Sequence, residues 1–209
     1  MLSTLRLQFR RFLRARRPDS AREQGMDRRF AELVDAHLDA IYRTARRLGT
    51  RESDVEDLVQ EVVVVLARRL GDIEAGKERA FALGTAARVA SEFRRRERRR
   101  REELVAELDG EHALAPVSAA SGERRVEHAE ALELLRAGLD AMTEAQRVTF
   151  VLFELEELRA SEIAAELGVE EAAVVSRLHR ARSVMRRICK RHGRGAVASA
   201  GEPYEESEP

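Results

Sequence analysis

The 209-residue chain has no tryptophan and a single cysteine, and each scarcity removes a class of structure. A lone thiol, Cys189, excludes an intrachain disulfide and fits a reducing compartment. The five histidines (His37, His112, His128, His179 and His192) are scattered, with no cysteines at zinc-ligand spacing, so no metal or other cofactor is expected. Aromatics make up only 4% of the residues, which disfavours sheets packed on large rings. No apolar run approaches a membrane span. The longest is Val62 to Ala67, so no membrane insertion is expected and the chain reads as cytoplasmic.

Net charge is absent too: Lys+Arg and Asp+Glu are both 38, so total charge names no partner. Its distribution does, because the charges fall in blocks. The composition is rich in Ala, Leu, Glu and Arg, which favours an all-α fold.

Residues 1–26 form a basic, amphipathic N-terminal extension carrying Arg6, Arg10, Arg11, Arg14, Arg16 and Arg17. It suits either a contact with a membrane surface or nucleic acid, or a poorly ordered arm; Met26 offers an alternative start. From Phe30 the apolar positions Leu33, Val34, Ile41, Ala45 and Leu48 share one helical face up to Gly49. Ser53 and Glu56 have capping-box spacing, opening a second helix with Val55, Leu58, Val59, Val62 and Leu66 inside. A third helix is predicted over 77–101. It ends in seven arginines and one glutamate between Arg94 and Arg101.

These helices make a first domain over 27–103. Residues 104–125 lose periodicity and hold Pro116, Ser118, Ser121 and Gly122, as a flexible linker does. A second helical domain spans 126–192, and 193–209 reads as a disordered acidic tail.

The second domain carries a helix-turn-helix pattern. Ala164 lets two helices cross closely, Gly168 permits the tight turn, and Val174 pins the second helix on the first. That second helix bears Arg177, Arg180, Arg182, Arg186, Arg187, Lys190 and Arg191, while the preceding stretch is acidic. Such a helix is built to lie along phosphates in a major groove. A hairpin with a solvated basic face is the plainer alternative. The arginine run at 94–101 alone would be read as a solvated face, but with a second basic helix across a linker it suggests two DNA contacts on one tether. The cluster Asp54, Glu56, Asp57, Gln60 and Glu61 lacks the histidine partners of a helical metal site, so an acidic dock for a basic protein is the better reading.

In this order the three features resemble the sigma-70 family of RNA polymerase subunits, in particular its extracytoplasmic-function (ECF) group, which keeps only regions 2 and 4. The string Ser53 to Val62, containing Asp57-Leu58-Val59-Gln60-Glu61, is similar to region 2.2. Arg79-Ala80-Phe81 through Arg96 is similar to regions 2.3 and 2.4, and Ser176 to Arg182 to the region 4 recognition helix. The resemblance implies a non-catalytic sigma factor whose partners are core RNA polymerase (through the β′ clamp helices and β flap), promoter DNA and, for some members, an anti-sigma factor. It implies core binding by Asp54, Asp57, Gln60 and Glu61. Melting and reading of the −10 element would fall to Arg88, Glu92, Phe93, Arg95 and Arg96. Contacts to the −35 element would come from Ala173, Ser176, Arg177, His179, Arg180, Arg182, Arg186 and Arg187. The chain departs from the family at Phe81 (often Trp), Arg88 (often Asn), Thr143 (often Pro), Ala172-Ala173 (often Gly-Thr) and Val175 (often basic), which bears on the promoter sequence more than on the function.

Two rivals predict different behaviour. A conventional helix-turn-helix regulator binds palindromic DNA as a dimer without polymerase and leaves the acidic helix unexplained. A helical metal-dependent hydrolase needs a second acidic cluster and bound divalent metal.

Overall fold

In the computed structural model, residues 21–107 and 123–199 are described, and among them every regular element is helical. Helix α1 (Ala21–Arg47) buries Leu33, Val34, Leu38, Ile41 and Ala45 along one stripe, which Leu48 continues in the turn that follows. Helix α2 (Glu52–Arg69) answers with Val55, Leu58, Val59, Val62, Val63 and Leu66, and closes in a 3-10 turn over Leu70–Asp72. Helix α3 (Glu78–Glu107) completes a three-helix bundle. Its inward face is mostly small, with Ala82, Ala86, Ala87 and Ala90 around Leu83, so α1 and α2 approach it closely. Arg94 of α3 donates to the Leu48 carbonyl at the end of α1, and Arg51 pairs with Glu97 at 2.5 Å. Arg94 and the single glutamate of the arginine-rich run therefore fasten the bundle.

Helices α4 (Glu123–Asp140), α5 (Glu144–Phe150), α6 (Ala160–Leu167) and α7 (Glu171–Ser199) form the second unit, with α7 packed against the other three. The Thr143–Gln146 capping box opens α5: each residue's side chain takes a hydrogen bond from the other's backbone amide. After Phe150 the helix widens into a π-type turn over Val151–Leu155. It is capped by Glu156 and followed by Glu157, whose φ of 56° is left-handed without being glycine. Gly168 (φ 63°) closes α6 in the conformation its missing Cβ permits, and Val174, Leu178 and Ala181 of α7 are buried beneath it. This is the helix-turn-helix that the sequence predicts.

Several boundaries differ from expectation. Residues 21–26 of the expected N-terminal extension are helical and continue α1. Helix α3 runs past 103 to Glu107, α4 begins at Glu123, and α7 continues through Gly193 and Gly195 to Ser199. The added residues at 104–107 and 123–125 are mostly good helix formers, and no proline interrupts any of the extensions. The Ser53–Glu56 capping box is not formed. Arg51 is the N-cap, so Ser53 lies inside the first turn and donates to Asp54. The rest of the expected extension, linker and tail falls on 1–20, 108–122 and 200–209, outside the described residues.

The two units touch. Glu156, at 1% side-chain exposure, accepts from Arg47 at 2.6 Å and lies 3.6 Å from Arg43 and 3.5 Å from Arg79. Arg79 also donates to the Glu156 carbonyl, and Arg47 to that of Leu155. Nearby, α6 crosses α3 at Gly84, where an added Cβ would lie 2.6 Å from Cβ of Glu166. Arg88 donates to the Glu166 carbonyl and pairs with its carboxylate at 3.6 Å.

Candidate nucleic-acid and polymerase interface

On α2 the apolar stripe faces the bundle, and the opposite face is polar. Asp57 and Gln60 are exposed, while Asp54 and Glu61 are half-buried at its margins. Glu61 reaches Arg96 of α3 at 3.9 Å, a long and largely solvated pair that contributes little to stability. Among these polar groups stands Val64, 45% exposed, one turn beyond Gln60. The sequence reading missed it because it lies inside an apolar run. The face is thus acidic with an apolar residue at its C-terminal end, which suits a basic protein surface better than a cation. Among the described residues no group of acids, histidines and cysteines is arranged to hold a metal.

On α3, Arg88, Glu92, Arg95 and Arg96 recur at helical spacing along one exposed face, and Phe93 packs half-buried beside them. The Arg96 guanidinium lies 5.6 Å from the centre of the Phe93 ring and 3.6 Å from Glu92. This face carries cationic groups and one accessible aromatic edge, the equipment for holding a phosphate chain and an unstacked base.

On α7, Ala172, Val175, Ser176, His179, Arg180, Arg186 and Arg187 are exposed, opposite the buried Val174, Leu178 and Ala181. Ala173 and Arg177 are half-buried on a flank of the helix. Arg177 pairs with no acid among the described residues, Glu170 and Glu171 included; it lines a groove of about 460 Å³ shared with Arg88, Ser91, Glu92 and Arg95 of α3. Arg182 is held within the domain, donating to Glu154 at 2.6 Å and lying over the Phe153 ring. It braces the helix against the π-type turn. A second crevice, of about 650 Å³, lies between Arg94, Arg95 and Arg98 on one wall and Asp140, Glu144 and Arg147 on the other. Arg147 is 5% exposed and donates to the carbonyls of Asp140 and Met142; burial, then the neighbouring Arg94, lowers its pKa.

A helix-turn-helix with an exposed polar and basic face, tethered to a helical bundle with an arginine-studded surface, defines a two-domain DNA-binding protein. Comparison with known proteins makes the class narrower. The family model for sigma-70 region 2 matches residues 33–100, and that for sigma-70 region 4 matches 132–185. The ECF RNA polymerase sigma factor SigE of Mycolicibacterium smegmatis is 31% identical over 184 residues, covering 87% of this chain and 70% of that protein. The RNA polymerase sigma-E factor of Streptomyces coelicolor is 31% identical over 159 residues, covering 75% and 84%. Among solved structures, the sigma factor RpoE of Bartonella quintana, in complex with the anti-sigma factor NepR, superposes with a TM-score of 0.57. Its identity is 23%, over 77% of this chain and 96% of that one, a likeness of fold.

The chain belongs to the sigma-70 family, in its ECF group. It directs RNA polymerase to promoters, and the family works by binding, without catalysis. Among the described residues, no helix is long and apolar enough to cross a membrane.

Proposed function

We propose that the three exposed faces divide the work of promoter recognition. Asp54, Asp57, Gln60 and Glu61, with Val64 at the C-terminal end of their face, dock on the polymerase β′ clamp helices. Arg88, Glu92, Phe93, Arg95 and Arg96 hold the opened −10 strand, with Phe93 offering a ring to a base out of its stack. Ser176, His179 and Arg180 enter the −35 major groove, while Arg186 and Arg187 contact phosphates. The observation that carries this reading is α7 itself. Its early turns leave the Gly168 corner with a polar and basic face in solvent and an apolar face fixed against α6.

The same reading requires a change of shape. Elements centred about 25 base pairs apart lie about 85 Å apart at roughly 3.4 Å per base pair. Arg88 and Arg177 share one groove, so the two domains separate when both elements are held. Polymerase supplies the separated arrangement, and the free chain binds promoter DNA weakly. Work in the cytoplasm, the β flap as a second polymerase contact, an anti-sigma partner of the kind seen with RpoE, and domain limits near 27–103 and 126–192 belong to the same proposal.

Run-off transcription on genomic fragments, by core polymerase with and without the protein, tests it. New, defined start sites are the expected result. Tight, specific duplex binding by the free chain as a dimer, with no association with core polymerase, supports the conventional regulator instead.

A further inference from the structure

Among the described residues Val175 is 56% exposed, more than the other exposed large apolar side chains Met26, Leu132 and Val64, and it sits at the start of α7. Its neighbours one turn away, Ala172 and His179, are exposed as well, as is the adjacent Ser176. Val174 and Leu178, which hold the helix to its domain, are buried. A valine here contributes nothing to the core and is a poorer helix former than the alanines beside it. Its apolar surface therefore has no use in the folded chain.

In a DNA major groove one group is apolar: the C5-methyl of thymine. We propose that Val175 is a specificity residue that reads one thymine in the −35 element by covering that methyl. The inference rests on α7 being the −35 reader and adds the base that it selects. The groove that Arg177 shares with α3 is lined without Val175, so in the closed chain it remains open to solvent. A β-branched side chain has few rotamers on a helix, so its two methyls are held in place before DNA arrives.

The test uses the full chain bound to core polymerase. A promoter library first defines the preferred −35 sequence. Each thymine in it, on either strand, is then replaced by uracil, which removes only the methyl. At one position this should lower promoter affinity about fourfold, the effect of exposing one methyl-sized group. In Val175→Ala the thymine-to-uracil ratio at that position should fall to about one, with other positions unchanged. Val175→Ile should retain it. Circular dichroism melts of both variants should match the parent, since the site is exposed. A preferred −35 sequence with no thymine, or a uracil effect that Val175→Ala leaves intact, overturns the inference. Arg180→Ala in the same library separates the causes. If Arg180→Ala alters the −35 preference and Val175→Ala does not, only the role of Val175 fails. If neither alters it, α7 is not the −35 reader and both fall.

Discussion

Glu156, in the turn after the π-type segment of the second domain, accepts a 2.6 Å hydrogen bond from Arg47 at the end of α1. With Arg43 and Arg79 close by, three cations from the first domain surround one almost fully buried carboxylate of the second. The left-handed Glu157 turns the chain there, so backbone strain is accepted where the domains meet.

Glu156→Gln should loosen this clasp. Removing one partner of a buried pair costs about 3–5 kcal/mol, but the arginines are 30% to 51% exposed, so about 1–3 kcal/mol is expected here. Small-angle scattering should show a larger radius of gyration, and weak binding of promoter DNA by the free chain should increase. An unchanged radius would mean that the clasp does not set the closed arrangement.

Gly84→Ala acts on the other contact, with opposite effects on its two sides. A Cβ there would lie 2.6 Å from that of Glu166, so α6 must move off α3. The same change should stabilise helix α3 by about 1 kcal/mol, because alanine is the better helix former. Thermal unfolding should show a bundle at least as stable as before, while scattering shows separated domains. Loss of the bundle itself would place the strain inside the first domain.

The two domains and their faces were legible in the sequence because the evidence is periodic: Val55, Leu58, Val59, Val62 and Leu66 are all buried, as are Ile163, Ala164 and Val174 around the turn. The contact between domains was not. Glu156 is one acid in an acidic stretch, and Arg43, Arg47 and Arg79 carry no local signal of a partner about 80 to 110 positions away. The Ser53 box failed for a related reason. Arg51 is tied to Glu97 and Arg46 to Glu52, so tertiary and loop pairs set where α2 begins. Val64 escaped, and Val175 stood out only as a departure from the family, because exposure of an apolar residue cannot be read from its type.

Glu166 should make the closed arrangement sensitive to pH. Burial raises its pKa above the ordinary value of 4.5, and Arg88 only partly opposes this. A carboxyl with a raised folded-state pKa contributes stability that is complete below its unfolded value and lost as pH rises through the folded one. The contribution of Glu166 to the α3–α6 contact should therefore weaken with rising pH in the range above 4.5. Glu166→Gln removes the ionisation, and the backbone carbonyl that accepts from Arg88 remains. Melting temperatures measured across that range should differ most between the two proteins at the high-pH end, with the variant more stable. A constant difference would show that Glu166 does not titrate there.

Asp57→Lys combined with Glu61→Lys should weaken association with core polymerase, because the acidic face would meet a basic surface with the wrong sign. Stability should change little: Asp57 is exposed, and Glu61 loses only a 3.9 Å surface pair with Arg96. A pull-down by core polymerase reads the first effect and a thermal melt the second. Full retention of core affinity would remove α2 from the dock.

On α7 the basic residues should separate into two kinds. Arg180 lies on the exposed face of the early turns, beside Ser176 and one residue from His179, where a recognition helix meets base edges. Arg186 and Arg187 are equally exposed but two turns later, where the helix leaves the groove. Arg180→Ala should therefore cost about 1–3 kcal/mol on the preferred promoter and relax one −35 position. Arg187→Ala should weaken all promoters alike and reduce the salt dependence by about one released counterion. Arg177 should behave conditionally. Its place in the groove with Arg88 and Arg95 makes it available only after the domains part. Its replacement should change promoter preference on polymerase and have little effect on DNA binding by the free chain. Arg182, fixed by Glu154 and Phe153, should affect stability of the domain before it affects any single base. Library selection on core polymerase, with each alanine variant measured at two salt concentrations, distinguishes these outcomes. A base-specific shift from Arg187→Ala with none from Arg180→Ala would mean that the helix lies in the groove by its later turns.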